Sequence, residues 1–460
     1  MGKTIFADTS LQDAVSELSS KKGVIIGLLI GKCSSQKDTV VHLVPTPSEQ
    51  SGDSSHGNPS SVDSYSEQWI AEHARQVACT LPGGIGITGV FYSCQPGESS
   101  QGATRARQAL FATFKLLTKR HLMIVDQGRE TLDWCALHIC QATKKTVCKT
   151  FNVLDHKCTA RPADLKFQSN VQQWAVVQSS LRLDIGVHLG SAVADCSQYS
   201  KQLLARLHPV SQMIEDASAL VDSQLRRGSD PLEGQLAKKK GGKKGGGGSG
   251  RSDGGVHTVE LLTGKNDISV KPSSVERSSV KAHILITGVM SSKAFVDPKA
   301  TVNDAVQAIK EDLLRSVHAR FDLLTDDLRQ NAKADEDSEE GRTAPPALIV
   351  TPRRVYARLP NSPIIVSDYA FAEEEAGEVA ERLSELLDIK VNPEDLDLEA
   401  ESLPDPSLLQ PVTQSMHDIN DPAESGKSAK SVQYMGVAAV VGAAGAVLAA
   451  AMSYLALSHD

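Results

Sequence analysis

No cysteine lies beyond residue 196 of this 460-residue chain; all eight fall in its first 200 residues. The opening segment, MGKTIFADTSLQDAVSEL, also lacks the apolar core that a secretory signal needs. These two absences lead us to expect the body of the protein in a reducing compartment, without disulfides. Phe6 stands where N-myristoylation requires Ser or Thr, which excludes that modification. An excess of positive charge is missing as well. The net charge of −8 argues against nucleic-acid binding, and the one basic run, from Lys238 to Arg251, is too rich in glycine to form an ordered binding face.

A phosphate-binding loop is a further absence. In GVIIGLLIGKC, residues 23 to 33, only three residues separate Gly27 from Gly31, and Cys33 follows Lys32 where a magnesium-binding hydroxyl is required. The stretch reads instead as a β-hairpin. Val24, Ile25, Ile26, Leu28, Leu29 and Ile30 form one strand, CSSQKD the turn, and TVVHLV the return strand. Gly27 and Gly31 are expected to allow close backbone approach, and Lys32 to be a solvated charge at a strand end.

What is present at the C-terminus is a long apolar run. Tyr434 to Leu457 gives 24 residues without a charge. As a helix it would measure roughly 36 Å, enough to cross a bilayer core. Only Ser458, His459 and Asp460 follow, so we expect a tail anchor, with Lys427 and Lys430 on the cytosolic flank. A lipid-anchor signal would need an export signal at the other end. Ala438, Gly442, Gly445 and Ala449 offer a face on which another helix can pack closely.

Between the ends the chain divides into an α/β region at 1–225, a Gly/Lys-rich linker at 226–254 and a second α/β unit at 255–391. A flexible acidic stalk at 392–430 then leads to the span at 431–457. The overall class expected is α/β (α+β) with one transmembrane helix. A polar loop interrupts the first region at 46–64. Trp69, Ile70, His73, Val77 and Leu81 recur at helical spacing, PGG at 82–84 stops that helix, and IGITGVFYS reads as a strand. His73 is expected to pack within the fold rather than bind a ligand. LDWCALHIC and TVCKTFNVL form another hairpin.

His138, Cys140, Cys148 and Cys158 raise the question of a metal, but their spacing does not match paired zinc knuckles, so buried packing is the default. In the second unit, Val302, Val306, Ile309, Leu313, Val317, Phe321, Leu324 and Leu328 mark one face of a helix. RRVYARL and PIIVSDY, joined by PNS, form a further hairpin. From Glu373 to Glu424 there are sixteen acidic residues against Arg382 and Lys390. They begin with an amphipathic helix through Ala376, Val379, Leu383 and Leu386.

In order, the segments GLLIGKCSSQKD, EHARQVACTLPGG, LHICQATKK, ARPADLKFQS, DAVQAIKEDLL and PRRVYARLPNS, closed by the terminal apolar run, resemble the odorant-response-abnormal protein four (Odr-four) family across nearly the whole chain. The resemblance implies an endoplasmic-reticulum protein with a cytosolic N-terminus. It implies a role in moving a subset of G-protein-coupled receptors, odorant receptors among them, toward the cell surface or cilium. It also implies anchoring of the ubiquitin-fold-modifier-specific protease, with that protease, the receptors and the lipid bilayer as partners and no cofactor.

The N-terminal region of the family is similar to MPN domains, whose active members hold zinc through His-x-His at a strand end, with a later Asp. The resemblance places Tyr92 and Cys94 where those histidines would stand, and neither a second histidine nor a Ser-x-x-Asp element is visible. Isopeptidase chemistry is therefore not expected. The competing reading is a zinc-dependent hydrolase using His138 and nearby cysteines.

Overall fold

The computed structural model describes residues 3–33, 38–49, 59, 61–125, 130–169, 173–190, 207–233, 255–263, 280–336, 347–371 and 374–402. The two segments expected at 226–254 and 431–457 fall largely or wholly outside them, Tyr434, Gly442, Gly445 and Leu457 included. Among the described residues no helix is long and apolar enough to cross a membrane.

Seven strands close a barrel in the order β1-β3-β2-β4-β5-β6-β7. They are β1 (Lys3–Asp8), β2 (Ile25–Lys32), β3 (Asp38–Pro45), β4 (Gly86–Cys94), β5 (Asp133–Cys140), β6 (Thr146–Asn152) and β7 (Arg161–Gln168). The two hairpins expected in this region form as antiparallel pairs, β2 with β3 and β5 with β6. A Cβ on Gly27 would run into the Val44 carbonyl, and one on Gly31 into the Thr39 carbonyl, so both glycines mark close backbone approach. One set of strand side chains, including Leu29, Phe91 and Leu137, packs with Leu11, Val15 and Leu18 of α1 (Leu11–Ser20). The other, including Leu28, Val90 and Trp134, packs with α2 (Glu67–Thr80) and α3 (Ser99–Lys119). Helix α2 begins where Ser66 Oγ accepts the Trp69 N–H at 3.2 Å, satisfying one of the donors left open at a helix start.

A second sheet has the order β12-β11-β8-β10-β9. Its strands are β8 (Ala175–Gly190), β9 (Ser218–Val221), β10 (Val256–Leu262), β11 (Val280–Val296) and β12 (Ala347–Val350). Strand β8 pairs antiparallel with β11 from Ala175↔Val296 to Gly190↔Val280, so this sheet draws strands from both sides of the 226–254 range. Helix α4, which covers residues 207–216, and the long α5 (Val302–Glu336) cover it. Leu207, Val210 and Ile214 pack with Val302, Ile309, Leu313, Val317, Phe321 and Leu324, the helix face expected from periodicity.

The PGG that stops α2 is also where the two sheets join. Gly83 N–H donates to the Lys293 carbonyl at 3.0 Å, and Phe295 N–H donates back to Gly83 at 2.9 Å. Gly83 can sit there because a Cβ would run into the Ala308 carbonyl of α5. From α5, Arg315 donates to the carbonyls of Leu81, Pro82, Ile85 and Leu122 at 2.9 to 3.3 Å. Lys32 takes part in the same junction: its Nζ donates to the Phe295 carbonyl at 2.9 Å. This corrects the expectation of a solvated charge. Burial holds its pKa below the usual lysine range, against the opposing pull of Glu311, Asp297 and Asp304.

The last hairpin, β13 (Arg353–Arg358) with β14 (Ile365–Ala370), packs with α6 (Ala376–Leu387) against α2, so Val355, Val366, Val379 and Leu383 share a core with Ile70 and Val77. The start of the range expected to be a flexible stalk is docked rather than free. Leu396 and Leu398 pack on this core, Asp397 N–H donates to the Tyr356 carbonyl at 2.8 Å, and Glu401 is buried. The physical reason is a set of donors that meets the carboxylate: Glu401 accepts from the Ser291 backbone N–H at 2.7 Å, the Arg354 backbone N–H at 2.8 Å and the Arg320 guanidinium Nη2. Residues 403–430 lie outside the described residues.

Candidate functional site at the end of two parallel strands

Strands β4 and β5 run parallel, with Tyr92 opposite His138 and Cys94 opposite Cys140. Alternation along a strand puts these four side chains on one face. The Tyr92 and His138 rings stack with centroids 4.7 Å apart and planes 10° from parallel. Gly102 of α3 makes room for that stack, since a Cβ there would lie 2.8 Å from Tyr92 Cδ2. Cys94 is fully buried, with its sulfur 3.7 Å from His138 Nε2. Burial pushes the Cys94 thiol up to about 11, helped by Glu98 and Cys140. Burial also pushes the Tyr92 hydroxyl up to about 12. His138 is half-buried, and its pKa is held down first by burial and then by Lys149.

The four residues grouped in the sequence separate here. His138 and Cys140 share the β4–β5 face, whereas Cys148 pairs with Cys135, sulfur to sulfur at 3.0 Å, among the residues that pack with α1. Cys158 Sγ reaches the Asn152 carbonyl at 3.4 Å. Among the described residues, no group of three or more His, Cys, Asp and Glu side chains converges as metal ligands. The donors present do not fit a catalytic zinc, which takes three protein ligands and keeps one position open for water. A tyrosine ring lies flat on the imidazole, and Cys94 is sealed against it.

Sequence reasoning missed Gln141. Its Nε2 donates to the Gly23 carbonyl at 2.6 Å and to Ser93 Oγ at 3.3 Å, while its N–H donates to the Cys94 carbonyl at 3.1 Å. Gln95 Nε2 in turn donates to Gln141 Oε1 at 3.2 Å. The only sequence signal was its place directly after a strand.

His73 packs as expected. Its Nδ1 lies 3.1 Å from Thr46 Oγ1 and its Nε2 lies 3.3 Å from the Leu386 carbonyl. Because a carbonyl only accepts, Nε2 carries the proton and Nδ1 accepts from the threonine. His42 Nε2 lies 2.8 Å from the next carbonyl, Leu387. Two imidazoles thus satisfy carbonyls at the C-terminus of α6.

The family model described as odorant response abnormal 4-like matches residues 27–398. Proteins named odr-4 homolog are similar along most of the chain. That of Gallus gallus is 32% identical over 405 residues, covering 87% of each chain, and that of Mus musculus is 31% identical over 467 residues, covering 99% of each. The Homo sapiens protein is 30% identical over 407 residues, again covering 87% of each. Among solved structures, UfSP from C. elegans is similar at a TM-score of 0.41 and 10% identity, over 85% of this chain and 57% of that one, too slight a likeness to assign the fold. None of these odr-4 relatives carries an enzyme's name. The chain belongs to the odorant response abnormal 4-like family.

Proposed function

We propose that this chain is a non-catalytic adaptor of the endoplasmic-reticulum membrane. In this reading it is held by a C-terminal tail anchor, with its N-terminal, MPN-like barrel and second α/β region facing the cytosol. It brings the ubiquitin-fold-modifier-specific protease to that membrane and takes part in trafficking a subset of G-protein-coupled receptors. The observation that carries the non-catalytic part is the end of β4. The positions compared with zinc-binding histidines hold a stacked tyrosine, Tyr92, and a sealed thiol, Cys94, which leave no open coordination position for a water-activating metal. The anchored part is supported by the uncharged run from Tyr434 to Leu457 and its lysine flank.

Flotation of cell membranes tests the anchoring. The full chain should float with the endoplasmic reticulum, and a chain lacking residues 431–460 should stay in the soluble fraction. Protection of the N-terminus from protease in intact microsomes would contradict the orientation.

A further inference from the structure

The β4–β5 face carries a second kind of chemistry. Cys94 and Cys140 are Cα partners on adjacent strands. Neighbouring strands lie roughly 4.8 Å apart, within the Cα separations of about 4.4 to 6.8 Å that a disulfide spans. The two thiols differ in character. Cys94 is buried beside His138, whereas Cys140 is half-buried at the mouth of the exposed loop Ala142–Lys145. The polar surroundings supplied by the Thr143 hydroxyl, and then by the Thr143 and Ala142 backbone, hold the Cys140 thiol below its usual range. A partly exposed thiol at a loop mouth, lowered in pKa and with a second thiol as its cross-strand partner, is the arrangement that hydroperoxides oxidise.

We propose that Cys140 and Cys94 form a peroxide-sensitive dithiol, with Cys140 as the reacting and Cys94 as the resolving sulfur. The Cys140 thiolate attacks one oxygen of a hydroperoxide. An S–O bond forms, the O–O bond breaks, and the departing oxygen leaves as water or an alcohol after taking a proton. Cys94 then gives its proton to His138 Nε2, and its sulfur attacks the Cys140 sulfenic acid. The S–S bond forms, the S–O bond breaks, and hydroxide leaves as water with the proton from His138. Two thiols lose two electrons in total, and the peroxide gains them. A small-molecule thiol reverses the change by exchange. The bond pins the ends of β4 and β5 together beside Gln141.

The pair Cys135 and Cys148 provides an internal comparison. Its sulfurs are only 3.0 Å apart, but both are buried, and the thiol contact and burial hold Cys135 well above the usual range. Neither offers an accessible sulfur for a peroxide to reach first, as Cys140 does.

The test treats the full-length chain, in detergent, with hydrogen peroxide near equimolar amounts and maps its peptides without reduction. The expected product links Cys94 to Cys140 and disappears on adding dithiothreitol. In Cys94→Ser, dimedone should label Cys140 in preference to the half-buried Cys33 and Cys158. In His138→Gln, Cys140 should keep its dimedone reactivity while the link forms several-fold more slowly. A Cys135–Cys148 link appearing first, or labelling of Cys33 or Cys158 ahead of Cys140, would overturn the proposal, as would a link whose rate ignores His138→Gln.

Discussion

His73 is neutral in the fold because nothing around it compensates a charge. Burial holds its pKa at about 4, and the Leu386 carbonyl only partly opposes that. The unfolded chain takes up the proton near the ordinary value of about 6.5, so the stability His73 contributes is complete above that pH and drains away as pH falls toward 4. For a shift of this size the loss amounts to about 3 kcal/mol by pH 4. His42 and His318, also lowered by burial, act in the same direction. Denaturant titrations between pH 7 and 4 should therefore show stability falling with acid, and the slope should be shallower in His73→Gln. At this scale the sequence was partly legible. An isolated histidine among apolar helical positions read correctly as packed, and glycines between β-branched residues read correctly as close approach. Lys32 was not legible, since its partner Phe295 lies 263 residues away.

The elements carry a buried ionic seam between α5 and the β13–β14 hairpin. Asp312 on α5 is 0% exposed and Arg354 on β13 is 1% exposed. Arg354 Nη1 and Nη2 donate to the two Asp312 oxygens at 2.6 and 2.9 Å, and Ser292 Oγ donates at 2.8 Å. Breaking such a pair leaves a buried charge alone. Asp312→Ala should destabilise by about 3 to 5 kcal/mol, whereas Asp312→Leu combined with Arg354→Met should recover much of that loss. Urea unfolding of the single and double variants measures both. The segment after α6 belongs to the same seam. A chain ending at residue 402 should keep its unfolding midpoint, while one ending at 391 removes Glu401 and should lose roughly 3 kcal/mol or more. The hairpins were legible because alternation and bracketing prolines are local signals. Helix α3 went unread because its buried face is built from Gly102, Ala106, Ala109 and Thr113 as much as from Leu110 and Leu117, which weakens apolar periodicity. Asp312, Arg315 and Arg320 are buried on the same helix, and nothing local in the sequence marks them as such.

For the whole molecule, local pattern marked three hairpins and β4, but neither β8 and β11 nor any pairing between strands far apart in the chain. Nothing in residues 175–190 names residues 280–296 as their neighbours, and this pairing fixes the second sheet. The barrel and the second sheet meet through Gly83, Lys32 and Arg315, and the proposed account puts the binding surface on this folded body and not on the segment beyond residue 402. In the proposed account that segment supplies position and reach, and confinement at the membrane raises the protease's local concentration without adding catalytic groups. The direct measurement is the membrane-bound fraction of the ubiquitin-fold-modifier-specific protease in cells lacking this chain. Three versions are returned to those cells: the full chain, a chain without residues 431–460, and a chain whose residues 403–460 are replaced by an unrelated linker and another endoplasmic-reticulum tail anchor. The account predicts a membrane-bound protease with the first and third and a soluble one with the second. A protease that stays on membranes with the second version, or fails to reach them with a folded and correctly located third, would contradict it.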